Sequence, residues 1–168
     1  LMMLSALAAR AFEISYWLDI DVRTNNGRGY WYRVVDRPAD VTPTSGQIWG
    51  ACSRARYTYH GRQIYVLFHR QFEIDQAKTA LLLWKTHAEN MGMSVIPTVV
   101  LMDYSSYEAL NFTDSEIQSF ALWCSNNINP EFGVYDVYND RQGPGTAQNT
   151  QMGLIKNQIG NNVDRKST

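Results

Sequence analysis

Three unbroken apolar runs, each followed by a helix-forming segment, constrain this chain more than any other feature. They read "QIYVLFHRQF" from Gln63, "SVIPTVVLMDYS" from Ser94 and "FGVYDVYND" from Phe132. A strand with one wet face alternates apolar and polar residues, whereas a strand covered on both faces stays apolar throughout. Between the runs lies "IDQAKTALLLWKTHAENM", rich in helix formers, with Asp75 in its first turn and Gly92 as its stop. Thr113 and Glu116 then form a capping box, predicting a helix to about Asn127. Alternation of this kind implies right-handed crossovers and a parallel sheet. Pro97 cannot donate to a ladder and is expected early in its strand or at a bulge.

The flanking segments are less regular. Residues 13–22, "EISYWLDIDV", alternate in the manner of a half-buried strand, with Ile14, Tyr16, Leu18, Ile20 and Val22 on one side. "TNNGRG" supplies a turn signal and "YWYRVV" a second strand, which together predict an antiparallel hairpin. Thr44 or Ser45 can cap a helix to about Tyr57, ended by Gly61, and a fourth helix is expected at about 147–159. The expected fold class is therefore α/β in a single domain. An N-terminal helix (1–12) and a β-hairpin (13–36) precede a mainly parallel sheet of βαβαβα units (44–160), and a loose tail (161–168) follows. The apolar opening "LMMLSALAARAF" is read as helix; the alternative, a signal-peptide remnant, lacks a basic leading region.

Composition excludes several function classes. A formal net charge of −1, with no stripe of Lys or Arg, argues against a nucleic-acid partner. Nothing approaches the ~20 apolar residues of a membrane span, so no membrane partner is expected. Cys52 and Cys124 fall in predicted helices and are read as buried free thiols. No cofactor motif is present: the first βα turn, "HRQFEIDQ", has no glycine with which to cradle a phosphate.

In parallel α/β folds chemistry gathers where the strands finish. The first run ends in His69, Arg70, Gln71 and Glu73, the second in Asp103 and Tyr104 with Tyr107 beyond, and the third in Asp136, Tyr138 and Asn139. Strand parity groups Tyr65 and Leu67 with His69, Val99 and Leu101 with Asp103, and Val134 with Asp136. If these sets face the same way, His69, Asp103 and Asp136 share one space. Asp136 interrupts an apolar run, and burying a carboxylate costs several kcal/mol unless it is paired; Arg70 and His69 are its expected partners. Two carboxylates among aromatic and amide side chains suit glycosidic-bond hydrolysis, in which one acid protonates the leaving oxygen while the other supports water or the sugar carbon. One histidine with two aspartates would also suit a divalent metal. The same mouth could instead hold a ligand without turnover, or be filled by structural ion pairs.

On the residues "IYVLFHRQFE", "PTVVLMDYS" and "FGVYDVYNDRQ", the stretch from Gln63 to about Gln142 resembles part of a (β/α)-barrel protein of the glycoside-hydrolase type. The resemblance implies a carbohydrate substrate and a sugar-binding cleft at the strand ends, with Asp103 and Asp136 as acid and base. A full barrel needs eight strands and ~250 residues. The expectations are thus a fragment, a partial barrel completed by another subunit, or an open three-layer sheet, with a homo-oligomer or partner chain covering the sheet edge.

Overall fold

The computed structural model describes residues 12–18, 30–33, 43–58, 60–68, 74–101, 113–136 and 146–165. The elements run β1 (Glu13–Leu18), β2 (Tyr30–Arg33), α1 (Ser45–Ser53, prolonged by a π-helical turn, Arg54–Thr58) and β3 (Gln63–Phe68). They continue with α2 (Ile74–Glu89), β4 (Ser94–Leu101), α3 (Asp114–Asn127), β5 (Glu131–Asp136), α4 (Thr146–Ile159) and β6 (Val163–Arg165). The six strands form one sheet in the order β2-β3-β4-β5-β1-β6, and every pairing in it is parallel. The protein is an α/β protein, as the apolar runs imply.

Local chemistry sets the helix ends. Thr44 and Gln47 form a capping box at the start of α1, and Thr113 and Glu116 form another at the start of α3. Gly92, at φ 73°, closes α2 in a Schellman motif: its N–H donates to the Glu89 carbonyl, and the Met93 N–H to that of Ala88. Pro97 stands one residue before β4 begins to pair with β5 at Thr98, where no ladder bond to β5 is lost. The β3 ladder runs through it without a bulge.

The N-terminal hairpin is not formed. β1 lies between β5 and β6, and β2 lies at the far edge beside β3. The alternation along β1 explains why it resembles a half-wet strand. Ile14 faces the helices, while Ser15 and Trp17 face the other way and are just as buried. The polar residues of this strand thus mark a polar interior as well as a surface. The segment 161–168 is not wholly a loose tail either: β6 pairs with β1, and the Ile14 N–H donates to the Asn162 carbonyl at 2.8 Å. Three residues carry too short a pattern to announce a strand, and the free side of β1 supplies the ladder. The expected helix at 1–12 lies outside the described residues except for Phe12, which is in neither helix nor strand.

The four helices pack on one face of the sheet. Ile14, Ile64, Val66, Phe68, Val95, Val99, Phe132 and Val134 form one apolar core with residues of α1, α2, α3 and α4. A layer of helices on both faces is therefore not what the described residues form. The opposite face carries a separate cluster of Trp17, Tyr65 and Ile96, each almost wholly buried. Trp17 on β1 and Tyr65 on β3 are three strand positions apart, roughly 14 Å on a flat sheet. Their rings nevertheless meet edge to face at 5.3 Å between centroids. The sheet is curled, with this face on the inside. Gly133, also on that face, lies against Thr98 so closely that an added Cβ would stand 2.9 Å from the Thr98 Cβ. Its two edges are β2 and β6, with no pairing between them among the described residues.

Candidate functional site

Parallel pairing brings the strand ends to one side of the molecule. Leu101 of β4 and Leu18 of β1 both stand level with Asp136, the last residue of β5. Asp136 is 2% exposed. Its carboxylate Oδ2 accepts a hydrogen bond from the hydroxyl of Tyr16, which lies on the adjacent strand level with Val134. A hydroxyl donor on a neighbouring strand both satisfies a buried carboxylate and fixes its orientation. This is a group built for a position, at the end of the sheet where parallel folds place their chemistry.

Of the residues singled out from sequence, Asp136 is the one the structure describes. Asp103, His69, Arg70, Gln71, Glu73, Tyr104, Tyr107, Tyr138 and Asn139 lie outside the described residues. The parity argument holds for one pair of strands and fails for the other. Val99 and Leu101 share the helix-side face with Val134 and Asp136, whereas Tyr65 and Leu67 point to the inner face. The cause is register: even-numbered Phe68 pairs with odd-numbered Val99, which in turn pairs with Val134. The sets ending at Leu67 and at Asp136 therefore do not face one space. One partner of Asp136 is Tyr16, which sequence reasoning placed among the apolar residues of a hairpin. The signal for it appears only once β1 is known to run beside β5.

A second buried acid sits at the other end of the same strand. Glu131, 8% exposed, opens β5 on the inner face. The Ser15 hydroxyl donates to its Oε2, the Tyr65 hydroxyl reaches the same oxygen at 3.4 Å, and Gln63 Nε2 reaches Oε1 at 3.5 Å. Asn129 accepts from the Glu131 N–H at 2.9 Å and donates to the Val95 carbonyl at 3.0 Å, which ties the strand entrance to β4. Burial, and after it the charge of Glu131, push the Tyr65 hydroxyl far above its ordinary value; hydrogen bonds from Trp17 and Ser15 oppose the shift. The network lies at the strand starts, the end that serves stability in parallel α/β folds. Its one advance sign in the sequence is an acid immediately before an apolar run.

Cys52 and Cys124 are free and buried, as expected, and burial raises both thiols, Cys52 to about 11. Among the described residues no group of three His, Cys, Asp or Glu side chains could hold a metal ion, and no helix is long and apolar enough to cross a membrane. Fold and site together define a parallel α/β protein with its helices on one face and a positioned carboxylate at a strand end. Comparisons with family models, curated proteins and solved structures return no match.

Proposed function

We propose that this chain is a carbohydrate-active hydrolase that cleaves glycosidic bonds at the C-terminal ends of its parallel strands. Its two carboxylates are Asp136 and Asp103. The observation that carries this reading is the buried Asp136 carboxylate, oriented by Tyr16 at the end of a central strand. Asp103 follows by two residues Leu101, which stands level with Asp136 on the neighbouring strand. In such a pair one acid protonates the leaving oxygen and the other supports water or the sugar carbon, at a separation of roughly 5–9.5 Å. Arg70, Gln71, Glu73 and Asn139 supply hydrogen bonds to the sugar, and Tyr104, Tyr107 and Tyr138 supply stacking faces. The reaction needs no cofactor.

A panel of chromogenic glycosides, esters and phosphates, with and without EDTA, tests the proposal. Turnover of a glycoside in the presence of EDTA is expected, lost in Asp136→Asn while the circular dichroism spectrum is kept. Glycoside turnover that survives this substitution removes Asp136 from the mechanism. Hydrolysis of esters or phosphates that EDTA abolishes supports a metal-dependent hydrolase instead. A second reading, a non-catalytic binding or assembly subunit, has its own observation: among the described residues the sheet ends in two short parallel edges, β2 and β6. Edges of that kind invite a partner strand or a second copy. Self-association in sedimentation with no turnover on any substrate supports it.

A further inference from the structure

We infer that a hollow between the start of α1 and the end of α2 is a surface subsite for a pyranose ring, with Trp49 as its stacking platform. The hollow measures about 390 Å³ and is lined by Ser45, Gly46, Trp49, His87, Asn90 and Met91. That volume falls at the lower end of the range for small-molecule sites, ~300–1,000 Å³. Trp49 is 62% exposed, while its neighbours Ile48, Ala51 and Cys52 turn the other side of α1 into the core. Burying a large apolar side chain stabilises a fold. Trp49 forgoes most of that, and its indole stands open beside polar groups. The surroundings match one ligand chemistry. A pyranose offers an apolar C–H face rimmed by hydroxyls; the indole complements the face, and the Ser45 hydroxyl, His87 imidazole and Asn90 amide complement the rim. The frame is stiff. The Thr44 capping box fixes the start of α1, and Arg56 Nη1 donates to the Met91 carbonyl at 3.1 Å. Asn90 and Met91 lead into the start of β4, whereas Asp136 ends β5, so the hollow and the proposed reaction centre belong to opposite ends of the sheet.

The ligand class rests on the carbohydrate reading above, while the site itself does not depend on catalysis. Affinity electrophoresis through gels containing soluble β-glucan, xylan, glycol chitin or starch tests it on the intact protein. Wild type and Asp136→Asn should both be retarded in at least one gel. Trp49→Ala should weaken apparent affinity at least about tenfold, or ~1.4 kcal/mol, and Trp49→Phe should restore part of it. Retardation of Trp49→Ala equal to wild type, or no retardation of wild type in any gel, overturns the subsite. The two proposals fail separately. Trp49-dependent retardation without glycoside turnover sinks catalysis alone, and Asp136-dependent turnover without Trp49-dependent retardation sinks the subsite alone.

Discussion

Glu131 and Asp136 open and close the same strand, and both are buried carboxylates. Five positions separate them, so they point to opposite faces: Glu131 inward, Asp136 toward the helices. Consecutive residues of β1 serve them, Ser15 donating to Glu131 and Tyr16 to Asp136. Burial and a hydroxyl partner are thus common to both and cannot tell a reacting group from a supporting one. What differs is the place along the strand. Glu131 is bound into a network of Ser15, Gln63, Tyr65 and the Asn129 turn at the strand starts. Asp136 stands where the chain leaves the sheet. In the proposed reading, the position along the strand, rather than the presence of an acid, separates the reacting group from the supporting one.

The largest expected effect separates the two acids by activity. On the proposed reaction, Asp136→Asn should lower glycoside turnover by about 10²–10⁴-fold, the usual contribution of a positioned acid or base, while Glu131→Gln should change it less than about tenfold. Equal losses in both would collapse the distinction. Next comes stability. Glu131→Ala leaves the buried Ser15 and Tyr65 hydroxyls without their acceptor and should cost about 3 kcal/mol in urea unfolding. A cost below about 1 kcal/mol would show that the network does not hold the strand starts together.

How much of this could be read from the sequence differs between the two ends for the same physical reason. The apolar runs from Gln63, Ser94 and Phe132 announce buried parallel strands because both faces are covered. Asp136 was legible because a charge inside such a run is costly. Strand neighbours were not legible. β1 carries an alternation that fits an antiparallel hairpin as well as a central parallel strand, so its place beside β5, and hence Tyr16 and Ser15, stayed hidden. Parity within a strand can be counted from sequence, but parity between strands needs the register. That is why Tyr65 and Asp136 turned out to face opposite ways.

Between these ends, Gly133 offers a third way to test the comparison. It lies on the inner face of β5, level with Thr98 on one side and Ser15 on the other. An added Cβ would overlap the Thr98 hydroxyl, and that side chain is wholly buried, with its hydroxyl donating to the Ile96 carbonyl. Gly133→Ala should therefore destabilise by about 1–3 kcal/mol through overpacking, seen as a lowered Tm. Pairing it with Thr98→Ala, which removes the overlapping hydroxyl and the methyl, should recover part of the loss. If Gly133→Ala is neutral, the inner face is looser than its burial implies, and the Glu131 network loses its rigid setting.

The smallest effect is a pH dependence peculiar to the inner face. The Tyr65 hydroxyl is raised in the folded protein, first by burial and then by Glu131. In the unfolded chain it ionises near its ordinary value, about 10. The unfolded state therefore releases this proton while the folded state keeps it. Stability from Tyr65 is fully present below pH ~10 and is lost as the pH rises above it, by at most ~1.4 kcal/mol per pH unit. Cys52, raised to about 11, adds a decline of its own that starts near the ordinary thiol value of 9.0. Wild type and Tyr65→Phe share that earlier decline, so the difference between them isolates the tyrosine. Urea midpoints measured from pH 8 upward should fall less steeply above pH 10 in Tyr65→Phe than in wild type. Parallel alkaline limbs in the two proteins would mean that the Tyr65 hydroxyl is not sealed beside Glu131, and the inner network would lose one of the contacts that define it.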